Sequence, residues 1–254
     1  MMTGLRTTIA AGATTRGVFL CTGSPVAAEL AGLAGFDWAL IDMEHGLGDE
    51  AATLAMIRAL ACFDTAPLVR IAGPRAEYVK RALDFGAAGI CCPMIRSAEQ
   101  ATELVACMRY PPRGCRGLST STRATNYGHA ADTYLASADE SLLCVVQIEC
   151  PDGLRAIDEI AAVDGVDVIF IGHTDLSQAL GCNGDFEHAA MRDAEARVQA
   201  AAARHGKCLG MLLKRDMNAA AYHARGFRFL ACGTDVGCLR TGLAEAYAAG
   251  NPTE

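Results

Sequence analysis

Two acidic residues each follow an apolar run of the kind that forms a buried β-strand. Glu149 follows LLCVVQI, and Asp175 comes shortly after VDVIFIG. The two are 26 residues apart, about the length of one strand–helix unit, so both carboxylates can converge over neighbouring strand ends of a barrel. Such a pair suits one hard cation such as Mg²⁺ or Mn²⁺, whose other ligands are water and substrate oxygens. A 2-oxo acid could chelate that cation through its carboxylate and keto oxygens.

Each of these carboxylates also has a purely structural interpretation. Glu149 would stand beside the cap of the following helix, and Asp175 would cap the turn LSQAL. Taken one at a time, the two residues leave both interpretations open.

Two further strand ends carry groups suited to acid–base and anion chemistry. FDWALI leads into Asp42, Glu44 and His45, and PLVRI contains Arg70. His45 could be a general base near neutral pH, or a loop histidine without a role. Arg70 needs an anionic partner because it finishes an apolar strand. That partner could be a bound enolate oxygen or, in a structural role, Asp42 or Glu44.

The segment after Gly172 offers a place for a substrate carboxylate. His173, Thr174 and Asp175 stand just before the helical pattern DLSQAL, and backbone N–H groups at such a helix start can receive an anion. The remaining histidines stand in polar or helical stretches and are expected to be solvated: His129, His188, His205 and His223.

Eight apolar runs must position these groups, and they alternate with helical patterns as in repeated strand–helix units. The eight runs lie near Gly17 to Thr22, Trp38 to Asp42, Pro67 to Ile71, Gly89 to Pro93, Leu142 to Glu149, Val166 to Gly172, Lys207 to Leu212 and Phe227 to Gly233. Eight units in 254 residues predict a single-domain (β/α)8 TIM barrel spanning residues 1–254, rather than an open sheet.

Helical spacing predicts helices between several of these runs, and one connection is unusually long. The helices are predicted at Glu50 to Cys62, Ala76 to Phe85, Ser97 to Met108, Glu187 to Arg204 and Asn218 to Arg225. The connection from Tyr110 to Leu135 is polar and rich in Gly, Ser and Thr. A loop of that length is usually functional or part of an interface.

Composition narrows the functional classes. Hydrophobic residues make up 52% of the chain, enough to bury a large core without disulfides. The net charge of -7, without a basic run, argues against a nucleic-acid partner. No apolar stretch suggests a membrane span or signal peptide, so a cytoplasmic location is expected. The twelve cysteines include no CxxC pair and several lie in apolar runs, so reduced, mostly inert thiols are expected rather than a zinc site.

Several of these segments, in this order, resemble the HpcH/HpaI family of class II pyruvate aldolases. The resemblance covers nearly the whole chain and is carried by FDWALIDMEHG, PLVRIAG, RYPPRGCRG, VVQIECPDGL and VDVIFIGHTDLSQALG. It implies a (β/α)8 barrel and a requirement for Mg²⁺, Mn²⁺ or Co²⁺. It also implies a homo-oligomer, a hexamer or trimer of dimers, with the C-terminal helix exchanged between subunits.

The resemblance further implies a reaction and roles for individual residues. The reaction is reversible cleavage of a 4-hydroxy-2-oxo acid into pyruvate and an aldehyde through a pyruvate enolate. Glu149 and Asp175 match the metal ligands, His45 the base, acting directly or through a water, and Arg70 the group that holds the keto or enolate oxygen. No predicted strand end carries a lysine, which argues against a Schiff-base aldolase.

Other matched positions are expected around this centre. Asp42 is expected to support the site, and Gln147 and the Gly172–Thr174 segment to contact substrate. Asp84 is expected to orient the histidine, within its own subunit or across a subunit boundary, and Arg123 to hold the distal carboxylate of the aldehyde. The chain reads GHTDLS where many members have GPAD or GPND, and its loop LSTSTRATNYG also differs. We therefore expect His173 and that loop to set the acceptor specificity.

Four other functions compete with the aldolase interpretation. An oxaloacetate decarboxylase, or a synthase that adds an enolate to a second substrate, would use the same cation and arginine. A CoA-ester lyase is disfavoured because no basic patch suits the nucleotide. A catalytically silent barrel is disfavoured by the intact set Glu149, Asp175, Arg70 and His45.

Overall fold

The computed structural model describes residues 4–214 and 217–250 and contains a closed barrel of eight parallel strands, each paired with the next and β8 with β1. The strands are β1 (Thr15–Leu20), β2 (Trp38–Asp42), β3 (Ala66–Arg70), β4 (Gly89–Cys92), β5 (Leu143–Ile148), β6 (Val168–Ile171), β7 (Cys208–Leu212) and β8 (Phe227–Thr234). The predicted (β/α)8 barrel is confirmed. All eight apolar runs overlap a strand, although β1 begins and ends earlier than predicted.

Helices surround this barrel. They are α1 (Leu5–Ala10), α2 (Pro25–Leu33), α3 (Glu50–Leu60), α4 (Ala76–Asp84), α5 (Ala98–Met108), α6 (Ala131–Ser141), α7 (Pro151–Arg155), α8 (Ile157–Ala162), α9 (His173–Ala179), α10 (Ala189–Arg204), α11 (Ala219–Ala224) and α12 (Asp235–Ala249). The five predicted helices are present with ends shifted by a few residues at most. The long loop ends earlier than predicted, because a 3-10 turn forms at Arg123–Thr125 and α6 begins at Ala131.

Large side chains fill the barrel interior, and a glycine makes room for the largest. Trp38 stacks on Phe229 with ring centroids 4.0 Å apart, and Phe170 meets Phe229 edge-on. A Cβ on Gly17 would lie 2.0 Å from the Trp38 indole, so β1 needs glycine at that position. A second apolar layer lies between the strands and the helices. All twelve cysteines are free thiols, as expected.

Strand register brings the predicted site residues to one edge of the barrel. Asp42 is paired directly with Arg70 across β2 and β3. Ile148 is paired with Ile171 across β5 and β6, so Glu149 and Gly172 leave adjacent strands at the same height. That edge is the carboxyl-terminal face, where barrels of this kind carry their chemistry.

The last helix makes little contact with the rest of its own chain. None of the residues of α12 is buried, and Leu239 and Leu243 are 58% and 62% exposed. Val26 and Leu30 of α2 are similarly exposed, and they line the same apolar surface. Within residues 4–214 and 217–250, no helix combines the length and apolar character needed to cross a membrane.

Candidate active site

Glu149 lies directly after β5 with its carboxylate buried and held by a backbone donor. Its Oε1 accepts a hydrogen bond from the N–H of Met94 at 2.7 Å, and its Oε2 lies 3.4 Å from the amide nitrogen of Gln147. Burial, together with the charges of Glu44 and Asp175, raises the pKa of Glu149 to about 7, even though the Met94 hydrogen bond and Arg70 act in the opposite direction. Glu149 is therefore a largely buried carboxylate with two acidic neighbours, and the positive charge around it does not offset burial and those neighbours.

Gly172 forms the wall against which this carboxylate lies. A Cβ at Gly172 would approach Oε2 of Glu149 to 2.3 Å and its Cβ to 2.7 Å. The N–H of Gly172 donates to the Ile148 carbonyl at 3.1 Å. The N–H of Gly172 is therefore already paired, and Gly172 provides the space that the Glu149 carboxylate occupies. The expectation that the Gly172–Thr174 segment contacts substrate stays a prediction.

Asp175 lies in the first turn of α9, exposed at the mouth of the barrel. Its charge contributes to raising the pKa of both Glu149 and Glu44, which places the three carboxylates within electrostatic reach of one another. The structural interpretations fare differently for the two predicted ligands. Cys150 is the N-cap of α7, so Glu149 does stand beside a cap, although its own carboxylate faces Met94 and Gln147. The N-cap of α9 is Gly172 and has no side-chain cap, so the expectation that Asp175 caps this helix is wrong.

Arg70 is held from two sides at the end of β3. Its Nε and Nη2 donate to the two oxygens of Asp42 at 2.9 and 2.7 Å, and Nη1 lies 3.2 Å from Oε2 of Glu44. Paired N–H donors on a carboxylate fix the plane of a guanidinium as well as its position. The structural ion pair considered from the sequence is thus present. It leaves further N–H donors on Nη1 and Nη2 for a substrate oxygen.

Asp42 organises the turn that follows β2. Its Oδ1 also accepts from the backbone N–H of Glu44 at 3.0 Å and of His45 at 3.3 Å. Burial would raise the pKa of Asp42, but the hydrogen bonds and charge of Arg70 outweigh burial and lower it. Asp42 therefore remains charged and supports Arg70 and the turn, as expected.

His45 and Glu44 are adjacent on that turn. The His45 side chain is 66% exposed, and its Nε2 lies 3.7 Å from Oε1 of Glu44. Burial raises the pKa of Glu44, with further contributions from Asp42 and Asp175, whereas Arg70 and His45 lower it. Glu44 thus stands between Arg70 and His45, and its carboxylate faces both.

The donor set fits one hard cation that keeps solvent or substrate ligands. Glu149 and Asp175 offer carboxylate oxygens, and carboxylates of the same cluster raise each other's pKa, so a cation would relieve their repulsion. In the described part of the chain, no group of three or more His, Cys, Asp or Glu side chains could hold a metal ion. Mg²⁺ commonly binds through only one or two carboxylates and completes its shell with water and substrate.

His173 points away from this centre, contrary to expectation. Its ring is 5% exposed, and its Nε2 lies 3.5 Å from Oε2 of Glu195 on α10. Phe186 packs beside the ring at 5.3 Å between centroids. The expectation that His173 lines the carboxylate cradle is corrected, because its side chain is buried between helices. Thr174 is exposed at the mouth.

Gln147 lies beneath the site rather than along its open wall. It is 2% exposed, its Nε2 faces Glu149, and its Oε1 accepts from the Cys91 thiol at 3.5 Å. In this chain Gln147 supports the Glu149 carboxylate from below.

Asp84 and Arg123 are not brought to the carboxyl-terminal face of their own chain. Asp84 ends α4, just before β4 begins, and therefore lies near the amino-terminal face, where it pairs with Arg116 at 2.9 Å. Arg123 donates to the Phe85 carbonyl at 3.4 Å in the same region. A role for either residue in catalysis would require another subunit, and both assignments remain predictions.

Two contributors to the site were missed by sequence reasoning. Glu44 was considered only as an ion-pair partner, although its place between Asp42 and His45 on a strand end was a usable signal. Met94 contributes through its backbone, in a left-handed conformation with φ of 54° that is uncommon for residues other than glycine. Nothing in the side-chain pattern marks a backbone donor of that kind.

Comparison with known proteins agrees with this geometry. A profile of the HpcH/HpaI aldolase/citrate lyase family matches residues 15–241. Hydroxypyruvate/pyruvate aldolase from Delftia acidovorans is 40% identical over 225 residues, covering 88% of this chain and 83% of the relative. 5-Keto-4-deoxy-D-glucarate aldolase from Shigella dysenteriae serotype 1 is 38% identical over 225 residues, covering 89% and 88%.

A solved structure of the same family also has the fold of this chain. A HpcH/HpaI aldolase/citrate lyase family protein from Burkholderia cenocepacia superimposes with a TM-score of 0.92 and 33% identity, covering 96% of this chain and 98% of that one. Both named relatives are aldolases, and they confirm the expectation of a carbon–carbon lyase of that kind. The chain belongs to the HpcH/HpaI aldolase/citrate lyase family.

Proposed function

We propose that the chain is a divalent-metal-dependent aldolase that reversibly cleaves a 4-hydroxy-2-oxo acid into pyruvate and an aldehyde, with Glu149 and Asp175 as metal ligands. One observation carries the proposal: a buried glutamate, fixed by a backbone N–H, whose pKa is raised by burial and by two neighbouring carboxylates. Such a cluster is costly without a cation and suited to one. Mg²⁺, Mn²⁺ and Co²⁺ are the candidates.

Arg70 would share the negative charge that develops on the substrate. When bound, the cation supplies a Lewis acid for the keto oxygen of a 2-oxo acid. The Asp42 and Glu44 contacts hold the guanidinium in place before substrate arrives, so its free N–H donors are aimed at an oxygen without reorganisation. In this role Arg70 stabilises the pyruvate enolate more strongly than the neutral ketone.

His45 would move the proton of the 4-hydroxyl group. As the hydroxyl proton leaves for the imidazole, directly or through a water, the bond between carbons 3 and 4 breaks, and its electron pair forms the pyruvate enolate. The aldehyde departs, and the enolate is then protonated at carbon 3. His45 is exposed at the mouth, which suits a group that exchanges protons with substrate and solvent.

The substrate class follows from the relatives and from the open mouth of the barrel. The relatives act on hydroxypyruvate or pyruvate and on a deoxy sugar acid, so polar hydroxylated aldehydes are the first acceptors to test. Exposed Thr174 is available to contact the substrate carboxylate. We further propose one catalytic domain over the whole chain, a cytoplasmic location, no nucleic-acid partner, and a homo-oligomer held together through α12.

A retro-aldol screen tests this function. The purified chain is stripped of metal with EDTA and incubated with 4-hydroxy-2-oxo acids of graded length, with and without Mg²⁺, Mn²⁺ or Co²⁺, while pyruvate release is followed. We expect activity only with metal, and its loss in Glu149→Gln and Asp175→Asn. Asp152→Asn, which changes an exposed carboxylate on α7, serves as the matched control.

Two outcomes would overturn the proposal. The first is metal-independent cleavage, or full activity in Glu149→Gln. The second is release of CO₂ from oxaloacetate without cleavage of any 4-hydroxy-2-oxo acid, which would instead assign the chain as a decarboxylase.

A further inference from the structure

A buried histidine–glutamate contact lies behind the proposed metal site and takes no part in the chemistry described above. His173 is the first residue of α9, and Asp175 follows it in the same turn. The side chains of His173 and Glu195 are 5% and 7% exposed, so the two meet away from water. Burying polar side chains costs free energy unless they are paired with each other or with further hydrogen-bonding groups.

Both ring nitrogens of His173 face acceptors. Nδ1 lies 3.2 Å from the carbonyl of Ile171, the last residue of β6, and a carbonyl oxygen can only accept. Nε2 lies 3.5 Å from Oε2 of Glu195 and has no hydrogen-bond partner among the described residues. The imidazole therefore spans from the strand end to helix α10, across the base of the turn that bears Asp175.

Glu195 is itself held in place from two directions. Its Oε1 accepts from Arg225, which follows α11, and from Gln199 one turn along α10 at 3.1 Å. The guanidinium of Arg225 lies over the Tyr222 ring at 4.7 Å. Glu195 thus offers His173 a fixed carboxylate rather than a mobile one, and helices α9, α10 and α11 are joined at one point.

His173 and Asp175 share the first turn of α9, so a contact that holds one residue also limits the backbone position of the other. Only Thr174 separates them in the chain, and Gly172, with no side chain to pack, precedes them. The other contacts of this turn are made by neighbouring residues: Ser177 Oγ donates to the Thr174 carbonyl at 2.8 Å, and the Gly172 N–H donates to the Ile148 carbonyl at 3.1 Å. Only His173 reaches from the turn to a side chain of α10. Groups outside the ligand shell that orient ligands affect metal affinity about 10- to 100-fold.

We propose that His173 is a positioning residue for the metal site, which fixes the first turn of α9, and with it Asp175, by joining that turn to Glu195 on α10. The inference rests on the proposed metal role of Asp175. It assigns to His173 a function in metal affinity rather than in substrate contact.

The test is Mn²⁺ binding to the full-length protein, measured as free Mn²⁺ by electron paramagnetic resonance, with thermal unfolding of the metal-free protein alongside. We expect His173→Ala to raise the Kd for Mn²⁺ about 10- to 100-fold. His173→Gln places an amide N–H near the position of Nε2 and should restore affinity to within about threefold of the wild type. His173→Met, which fills a similar volume without a donor, should not.

A matched control removes a similar contact elsewhere. His205 Nε2 lies 3.2 Å from Asp158, and this pair is far more exposed. His205→Ala should leave the Mn²⁺ Kd unchanged. If His173→Ala does not fold, Glu195→Gln, which keeps the volume of the side chain, takes its place and should raise the Kd severalfold.

The outcomes separate the two proposals. Wild-type affinity in His173→Ala or, where that variant is unfolded, in Glu195→Gln overturns the role of His173 and leaves the aldolase proposal intact. A fall in melting temperature without a change in Kd has the same meaning, since it reports a structural contact alone. If the wild-type protein binds no Mn²⁺, and calorimetric titration shows no binding of Mg²⁺ or Co²⁺ either, the metal site itself is wrong and both proposals fail.

Discussion

The Glu149 side chain occupies the space that a side chain at position 172 would need, so only glycine fits at that position. A Cβ at Gly172 would approach both Oε2 and Cβ of Glu149, at 2.3 and 2.7 Å, so rotating the carboxylate alone cannot relieve the clash. We predict that Gly172→Ala displaces Glu149 and weakens Mn²⁺ binding at least about tenfold, in the range expected for disturbance around a metal ligand. Calorimetric titration of the metal-stripped variant measures this.

Gly117→Ala is the control for that substitution. A Cβ there meets only the Lys80 side chain, at an ordinary contact distance of 3.5 Å, and Gly117 lies in the loop after α5. Its Mn²⁺ affinity should equal that of the wild type. If Gly172→Ala also bound Mn²⁺ with the wild-type affinity, Glu149 could move without weakening metal binding. The absence of a side chain at position 172 would then be unimportant for the metal site.

Glu149 should destabilise the metal-free protein above neutral pH. Its pKa is about 4.5 in the unfolded chain and about 7 in the fold, so the unfolded state loses its proton first as pH rises. Stability therefore falls between about pH 4.5 and 7 and stays low above that range, by about 3 kcal/mol at most. We predict that Glu149→Gln raises the melting temperature of metal-free protein at pH 8 by several degrees and changes it little at pH 4.5.

Adding metal at pH 8 should make the wild type melt at a higher temperature than Glu149→Gln. Mn²⁺ at pH 8 stabilises the wild type by mass action and leaves Glu149→Gln unchanged. Asp152→Asn, whose side chain is 52% exposed, should match the wild type in both conditions. If the wild type and Glu149→Gln had equal melting temperatures without metal at pH 8, the Glu149 carboxylate would not destabilise the metal-free protein, and this prediction would be wrong.

Arg70 should not be replaceable by lysine. Lysine keeps the charge but cannot donate to both oxygens of Asp42 while facing Glu44. We predict that Arg70→Lys folds, binds Mn²⁺ within a few-fold of the wild type, and loses about 10²- to 10³-fold in kcat for retro-aldol cleavage, as for removal of an oxyanion donor. Steady-state kinetics with a coupled pyruvate assay measures kcat and KM separately.

The exposed pair Arg81–Glu50 provides the comparison for Arg70. Arg81→Lys should leave kcat unchanged and alter the free energy of unfolding by less than about 1 kcal/mol, as is usual for surface ion pairs. If Arg70→Lys were as active as Arg81→Lys, Arg70 would have to act through charge alone.

Much of the fold and the centre of the site could be predicted because they depend on local pattern. Apolar runs at regular intervals gave the strands, and the rule that barrel chemistry lies at strand ends selected Glu149, Arg70 and His45. The Asp42–Arg70 pair was among the alternatives, since a buried guanidinium requires an acid nearby. These inferences need no knowledge of how helices pack.

The errors concern side-chain direction and contacts distant in sequence. The segment GHTDLS predicts His173 beside the carboxylate cradle, yet successive residues of a helical turn point in different directions, and its partner Glu195 is 22 residues further along the chain. The Met94 N–H depends on an unusual backbone conformation rather than on residue type. Asp84 and Arg123 were matched by position in the family, and one chain does not reveal what a neighbouring subunit would bring to them.

The apolar face of α12 should hold subunits together. Leu239 and Leu243 are well exposed on a helix without a buried residue, beside exposed Val26 and Leu30 of α2. Large exposed apolar patches mark interaction surfaces. We predict that Leu239→Ser combined with Leu243→Ser shifts the protein to smaller species in sedimentation velocity, while far-ultraviolet circular dichroism still shows a folded barrel. Arg240→Ser, on the same helix, should keep the wild-type sedimentation coefficient, and unchanged assembly in the leucine variant would exclude α12 as the contact.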